Sequence, residues 1–256
     1  MAARSFRTEA VVLRSLRLGE ADRILHVTTP GLGRIGAVAR GVRKTTSKFG
    51  GRLEPLSHVE LELTRGRGDL HTVTGVQLLA SHQRSRDDGY RLAAGLVGAE
   101  AVLRLFPEDD PHPKAFQALV RFLELLDSLE RPADPTGRPV PFDAGARDPL
   151  ALAFQLKLLW VAGYLPHLAS CAECGVEDGL VAFSPRAGGA VCSRHAEGGL
   201  PLAAETIAGM NALLRTPLAE AHAAALSTRA VREALAVVTA SYEYHGGFRL
   251  RSAAPA

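Results

Sequence analysis

The sequence predicts an α+β, multidomain chain. An N-terminal five-stranded OB-like β-barrel occupies residues 1–82, and an α-helical domain with an inserted zinc ribbon at about 168–200 occupies residues 83–256. Three observations predict it. Apolar residues recur with period two as far as about residue 80, and the period turns helical from Gly89 onward. All three cysteines fall inside one short window, as two knuckles with a histidine as the fourth member.

The clearest strand is His58-Val59-Glu60-Leu61-Glu62-Leu63-Thr64, where polar and apolar side chains alternate. Shorter runs at Ala10–Arg14, Arg23–Thr28, Arg34–Arg40 and Leu70–Leu78 read the same way. Pro30-Gly31-Leu32-Gly33 and Arg65-Gly66-Arg67-Gly68-Asp69 are hairpin turn signals between them. Five short antiparallel strands in this length suit a closed barrel that leaves no free edge. Pattern alone fits an SH3-like barrel nearly as well.

Beyond Gly89 the stripe Leu92, Leu96, Val97, Val102 or Leu103, and Phe106 predicts one helix. Phe116, Leu119, Val120, Leu123 and Leu126 predict a second. The Pro/Gly-rich stretch from Arg131 to Arg147 excludes a continuous helix. Asp148-Pro149 reopens one, with Asp as N-cap and Pro at the first position. Its expected apolar face is Leu152, Leu156, Leu159 and Trp160, and the run Leu158–Leu165 is expected to be buried. Two more helices are expected, Leu202–Leu214 and Thr228–His245. The last has Ser227 as N-cap, a stripe of Val231, Leu235, Val238 and Tyr242, and Gly246-Gly247 as its stop.

Cys171-x₂-Cys174 and Cys192-x₂-His195 stand 17 residues apart. That is the spacing of a four-ligand zinc ribbon, in which each knuckle aims two side chains of one tight turn at a common ion. Three thiolates and an imidazole fill a tetrahedron and leave no position for a substrate water, so the expected role of the one zinc ion is structural. His167, four residues ahead of Cys171, is the competing fourth ligand. A redox Cys-x-x-Cys would want a βαβ setting, which the flanks do not offer.

Net charge is +3 over 256 residues, but it is unevenly placed. Residues 1–82 carry 13 Lys and Arg against 7 Asp and Glu, and the remainder carries 17 against 20. Halves of opposite sign suggest that the first meets a polyanion. Between Arg34 and Arg52 stand Arg34, Arg40, Arg43, Lys44, Lys48 and Arg52, with no acidic residue among them. Such cations on a Gly/Ser/Thr-rich loop reach successive phosphates, and Arg65 and Arg67 on the hairpin tip extend the patch. A solvated basic loop that only keeps the chain in solution is the competing reading. Residues 1–82 hold two aromatic side chains besides histidine, Phe6 and Phe49, so few bases can be stacked. Binding is therefore expected to rest on phosphates, to be indifferent to base sequence, and to accept single and double strands.

Several chemistries find no support. There is no G-x-x-x-x-G-K-[ST] and no G-x-S-x-G. Gly31-x-Gly33-x-x-Gly36 matches a dinucleotide fingerprint in letters only, because it lies in a β-hairpin rather than a strand–turn–helix. The acidic clusters Asp87-Asp88 and Glu108-Asp109-Asp110 fall at helix boundaries, where capping and solvation explain them better than a metal-nuclease site. A hydrolase would need an exchangeable metal position, so no enzyme activity is expected. Clustered cysteines, no signal-peptide core and no apolar stretch of membrane-spanning length point to a reducing compartment, the cytoplasm around the nucleoid, and no membrane partner.

The stretch Leu18-Gly19-Glu20-Ala21-Asp22-Arg23-Ile24, then Thr28-Thr29 and Gly33, Ala39-Arg40-Gly41-Val42-Arg43-Lys44, Ser47 and Leu53-Glu54-Pro55-Leu56 resembles the bacterial recombination mediator family RecO. The likeness covers nearly the whole chain, and the CxxC…CxxH element supports it. It implies a protein that anneals complementary strands without covalent chemistry. It also implies that, with RecR, such a protein helps load a recombinase onto DNA coated by single-stranded-DNA-binding protein, whose tail peptide is a further partner. Arg40, Arg43, Lys44 and Lys48 match the family's basic barrel loop. His195 departs from the family's more usual Cys-Cys second knuckle. An RNA-binding barrel with a zinc ribbon from the translation machinery shares the electrostatics and is the alternative; it would call for more aromatic surface.

Overall fold

The computed structural model describes residues 5–66, 68–130 and 142–252. The chain divides into two compact units, Met1–Asp88 with Ala99–Ser128, and Gly89–Gly98 with Leu129–Ala256.

In the first unit five strands close on themselves. They are β1 (Ser5–Leu18), β2 (Asp22–Thr29), β3 (Gly33–Ala39), β4 (His58–Thr64) and β5 (His71–Ala80), in the circuit β1-β2-β3-β5-β4 and back to β1. This order settles the choice of barrel in favour of the OB type. One pairing differs from the all-antiparallel expectation: β3 and β5 run parallel, joined at Ala37↔His71 and Val38↔Thr72. With β4 placed between β1 and β5, the last strand reaches β3 running in the same direction.

The first strand extends well past both ends of the expected Ala10–Arg14. Its N-terminal half pairs with β4 and its C-terminal half with β2, and a bulge between Val12 and Arg14 accommodates the change of partner. Only Ala10–Leu13 are buried, so hydrophobicity marks the middle alone. The barrel interior holds Leu25, Val27, Ile35, Ala37, Val59, Leu61, Leu63 and Val73, closed at one end by Phe49 and Leu53. Three helical segments follow: a short α1 (Gln83–Asp87) that the pattern does not signal, α2 (Gly89–Leu105), shared between the units, and α3 (Pro113–Ser128). On α3 the expected stripe is buried at Phe116, Leu119, Leu123 and Leu126.

Gly33 begins β3 at φ +69°, and a Cβ there would sit 2.2 Å from the carbonyl oxygen of Asp110. Gly33→Ala is therefore expected to lower unfolding free energy by at least about 2 kcal/mol, from left-handed strain plus displacement of the packed backbone. Urea unfolding measures it, and a cost below about 0.5 kcal/mol would contradict the packing described.

In the second unit α4 (Pro149–Val161) is buried on every side from Leu150 to Leu156 and again at Leu158 and Leu159. It lies among α5 (Ala204–Arg215), α6 (Thr228–Gly246) and the 3₁₀ turn Leu218–Ala224. Asp148 caps it by accepting from the Leu150 N–H at 2.7 Å, as the Asp-Pro pair predicts. Trp160 does not join the buried face: it is 61% exposed, and Tyr164 and Leu165 are also exposed. The helix ends at Val161 and Gly163 turns at φ +81°, so the apolar run outlasts the helix that buries it. Ser227 caps α6 and Gly247 stops it at φ +67°. Of the Pro/Gly-rich stretch, residues 131–141 lie outside the described residues, and Phe142–Arg147 form a 3₁₀ turn.

Between α4 and α5 lies a small sheet of β6 (Leu180–Ser184), β7 (Gly189–Cys192) and β8 (Leu200–Pro201), ordered β7-β6-β8. Among the described residues no helix is long and apolar enough to cross a membrane.

Candidate metal centre and nucleic-acid interface

The β6–β7 hairpin carries Cys192 back to the first knuckle. Leu180 pairs with Cys192 across it, and the Ala172 N–H donates to the Ala190 carbonyl at 2.9 Å, which lays the first knuckle along β7. Each knuckle is tightly turned. The Gly175 N–H donates to the Cys171 carbonyl with Gly175 at φ +75°, and Ser193–His195 form a single 3₁₀ turn. Cys171, Cys174, Cys192 and His195 thereby bring their ligand atoms within 4.8 Å of one another, an arrangement that can hold one metal ion. His195 Nδ1 lies 3.5 Å from Cys171 Sγ and 3.4 Å from Cys192 Sγ, and Cys174 Sγ lies 3.9 Å from Cys192 Sγ. His167 is engaged elsewhere. Its ring meets Ser170 Oγ at 2.8 Å and its backbone pairs with Gly188 and Ala190.

Burial opposes a Cys171 thiolate. Backbone N–H groups from Cys192, Glu173 and Cys174, together with the His195 ring, outweigh it and bring the thiol down to about 5. Cys192 is lowered as well, against its burial, by the Arg194 backbone and His195. Anionic sulfur is what a metal-binding thiol requires.

The basic loop leaves β3 and is fastened to the turn between β1 and β2. Asp22 Oδ1 accepts from the Gly41 N–H at 2.8 Å, and the Arg43 N–H donates to the Ala21 carbonyl. Arg40, Arg43, Lys44, Lys48 and Arg52 are all exposed. Three of them donate only to main-chain carbonyls: Arg43 to Gly19, Lys48 to Thr74 at 2.8 Å, and Arg52 to Val76 and Lys48. Among the described residues Arg40 and Lys44 enter no side-chain hydrogen bond or ion pair. Among the described residues no carboxylate forms an ion pair with any of these five. Arg34 is different. It binds Glu108 at 2.8 Å and the Phe106 carbonyl, so its charge is met within the first unit. Arg65 is exposed, and Arg67 lies outside the described residues.

One exposed cation, Arg17, belongs to the part of β1 that the sequence pattern does not reveal. Arg17 pairs in register with Arg23, and Gly19 begins the turn to which the basic loop is fastened. That glycine was the available signal, since a turn there requires strand up to Leu18. Of the two aromatic residues noted in the barrel sequence, Phe49 is buried at 2% exposure and is not available for stacking.

Comparison with known proteins agrees with this architecture. The family model for the N-terminal part of recombination protein O matches residues 1–82, and that for its C-terminal part matches 86–137 and 142–254. DNA repair protein RecO of Anaeromyxobacter sp. (strain K) is 37% identical over 247 residues, which cover 94% of this chain and 91% of the relative. RecO of Nocardioides sp. is 37% identical over 246 residues, covering 94% of each chain. RecO of Cutibacterium acnes is 36% identical over 251 residues, covering 97% of each. With both parts of the chain matched at nearly full length, the protein belongs to the RecO family of DNA repair proteins.

Proposed function

We propose that this chain binds single- and double-stranded DNA through the sugar-phosphate backbone, anneals complementary strands, and acts without covalent chemistry. The observation that carries the reading is the set of exposed loop cations, Arg40, Arg43, Lys44, Lys48 and Arg52: three of them donate to main-chain carbonyls, and among the described residues none is paired with a carboxylate. Their charge remains available to an outside anion, and Arg65 adds to it. Arg34, paired with Glu108, serves to hold the barrel wall instead. Residues 1–82 are the nucleic-acid-binding domain in this reading. Residues 83–256 form a helical domain that carries the ribbon at about 168–200.

Annealing follows from charge. Two strands repel through their phosphates, and a loop of cations lowers that repulsion without reading bases. Indifference to sequence suits a protein that must act on any damaged site. The family relationship supports RecR and the tail of single-stranded-DNA-binding protein as partners in recombinase loading, in the cytoplasm around the nucleoid. It also weighs against the translation-machinery alternative, since both parts of the chain match a DNA repair family.

Zinc is the proposed ion at the Cys171, Cys174, Cys192 and His195 cluster. Tetrahedral bonds of about 2.3 Å to sulfur and 2.0–2.1 Å to nitrogen put sulfur–sulfur edges near about 3.8 Å and sulfur–nitrogen edges near about 3.5 Å. The separations of 3.9, 3.5 and 3.4 Å match those edges.

Salt titration tests the central claim. With about five phosphate contacts on a single strand, log K should fall with log[salt] at a slope near about −3.5. Fluorescence anisotropy of a labelled oligonucleotide measures it. A slope near zero would remove the phosphate grip from consideration.

A further inference from the structure

Where β3 and β5 meet, only Ala37 and Val38 are paired; nearer its start β3 is met instead by residues 108–110, with the Asp109 N–H donating to the Arg34 carbonyl. A cavity of about 350 Å³ is lined by residues from β1, β3, the start of β5 and this segment. That is within the range of small-molecule sites. Ile35 of the barrel interior and Leu32 line it, together with Phe6 and His71, whose ring centroids lie 5.4 Å apart and edge to face. Arg65 and the Asp109 carboxylate, both exposed, also line it. Burial and the nearby Arg65 hold the His71 imidazole below its ordinary pKa, so it is a neutral ring at neutral pH.

The surroundings say what such a cavity would take. Lys48 Nζ binds the carbonyl of Thr74, three residues along β5 from His71. At the rise of a strand that is about 10 Å, the span of about three stacked nucleotides. Arg65 itself lines the cavity. Lys48 and Arg65 are thus exposed cations available to phosphates of a strand that lies along this part of β5.

We propose that this cavity receives one unpaired nucleobase from such a strand, packed against Phe6 and His71, with the Asp109 carboxylate available to accept from a base N–H. The inference rests on the phosphate-binding reading and sharpens it. A base in a duplex cannot enter without leaving its stack, so the cavity favours single strands, while the loop cations serve both kinds. Phe6 is then the one non-histidine aromatic ring of the barrel with access to a base, and it acts from inside the wall rather than on an exposed platform.

Two strands of equal length test this on the full chain: single-stranded oligothymidylate, and an abasic strand with the same sugar-phosphate chain. The intact protein should bind the abasic strand about tenfold more weakly, the effect of one stacked base. Phe6→Ala should weaken oligothymidylate binding to the abasic level and leave abasic binding unchanged, which also shows that its barrel is folded. Phe6→Trp should retain the preference. Equal binding of both strands by the intact protein, with the salt slope preserved, would overturn the base pocket and leave the phosphate grip standing. Loss of the slope on both strands would overturn the underlying reading as well.

Discussion

Replacing Arg40, Arg43, Lys44 and Lys48 together by alanine is expected to weaken single-strand binding at 0.1 M salt by two to three orders of magnitude. Each phosphate contact on a single strand contributes about −0.7 to the salt slope, so four lost contacts remove about 2.8. Extrapolated to 1 M salt, where counterion release contributes little, the variant and the intact protein should converge. That convergence separates a charge effect from a folding defect, which would weaken binding at every salt concentration. Folding should survive. All four side chains are exposed, and among the described residues none forms an ion pair whose loss would strand a buried partner. Annealing should fall in parallel, because the same charges hold both strands. An Arg34→Ala variant is the informative contrast. It breaks the 2.8 Å pair with Glu108 and should lower stability while leaving the salt slope within about 0.3 of its original value. Equal slopes for the quadruple variant and the intact protein would show that phosphates lie elsewhere on the molecule.

That contrast also marks where the sequence stopped being readable. Arg34 stands in the same acid-free run as Arg40 and Arg43, and nothing local distinguishes it. Its partner lies 74 residues further on, beyond the end of α2. Features written locally came through well: the Asp148 and Ser227 caps, the strand at His58–Thr64, the β2–β3 turn and both metal knuckles. Helix phase came through only in part. On α2 the expected Val97 and Val102 are buried, as is Phe106 just beyond it, but Leu92 and Leu96 are half-buried, and Ala93, Ala94 and Ala101 are buried in addition. On α6 the expected Val238 and Tyr242 are buried, but Val231 and Leu235 are half-buried, and Ala230, Ala234, Val237 and Ser241 lie inside as well. The buried positions outside the expected stripes are mostly small residues, which let backbones approach but carry little hydrophobic signal. Larger aliphatics sit one position to the side. Trp160 was misread for the converse reason, since a large ring at the end of an apolar run looks buried until the helix is seen to stop one residue later.

Removing the metal, by chelation or by Cys171→Ala, should unfold the ribbon and leave the barrel intact. The ribbon has almost no core of its own. Its buried cluster is Cys171, Ala182, Val191 and Cys192, so two of the four members belong to the cysteine–histidine set positioned to hold the metal. An element this small, with a two-residue third strand, cannot offset the entropy of ordering its chain by apolar burial alone. Structural zinc supplies apparent binding free energies of about 10–16 kcal/mol in zinc-finger peptides, and an isolated ribbon loses its fold without it. Loss of the Cys171 thiolate leaves Cys174, Cys192 and His195, three ligands where a closed tetrahedral site needs four, and the Cys192 N–H that donates to Cys171 Sγ at 3.4 Å loses its acceptor. Protease cleavage between residues 171 and 199 should therefore appear in the variant and in chelated protein, and metal content should fall from one ion per chain to none. The barrel carries its own interior, and its basic loop is anchored within it through Asp22 and Ala21. DNA affinity and salt slope should accordingly stay within about twofold of the intact protein. If Cys171→Ala abolished DNA binding while circular dichroism still showed the barrel's strands, the metal site would have to be part of the DNA-binding apparatus rather than a support for the helical domain.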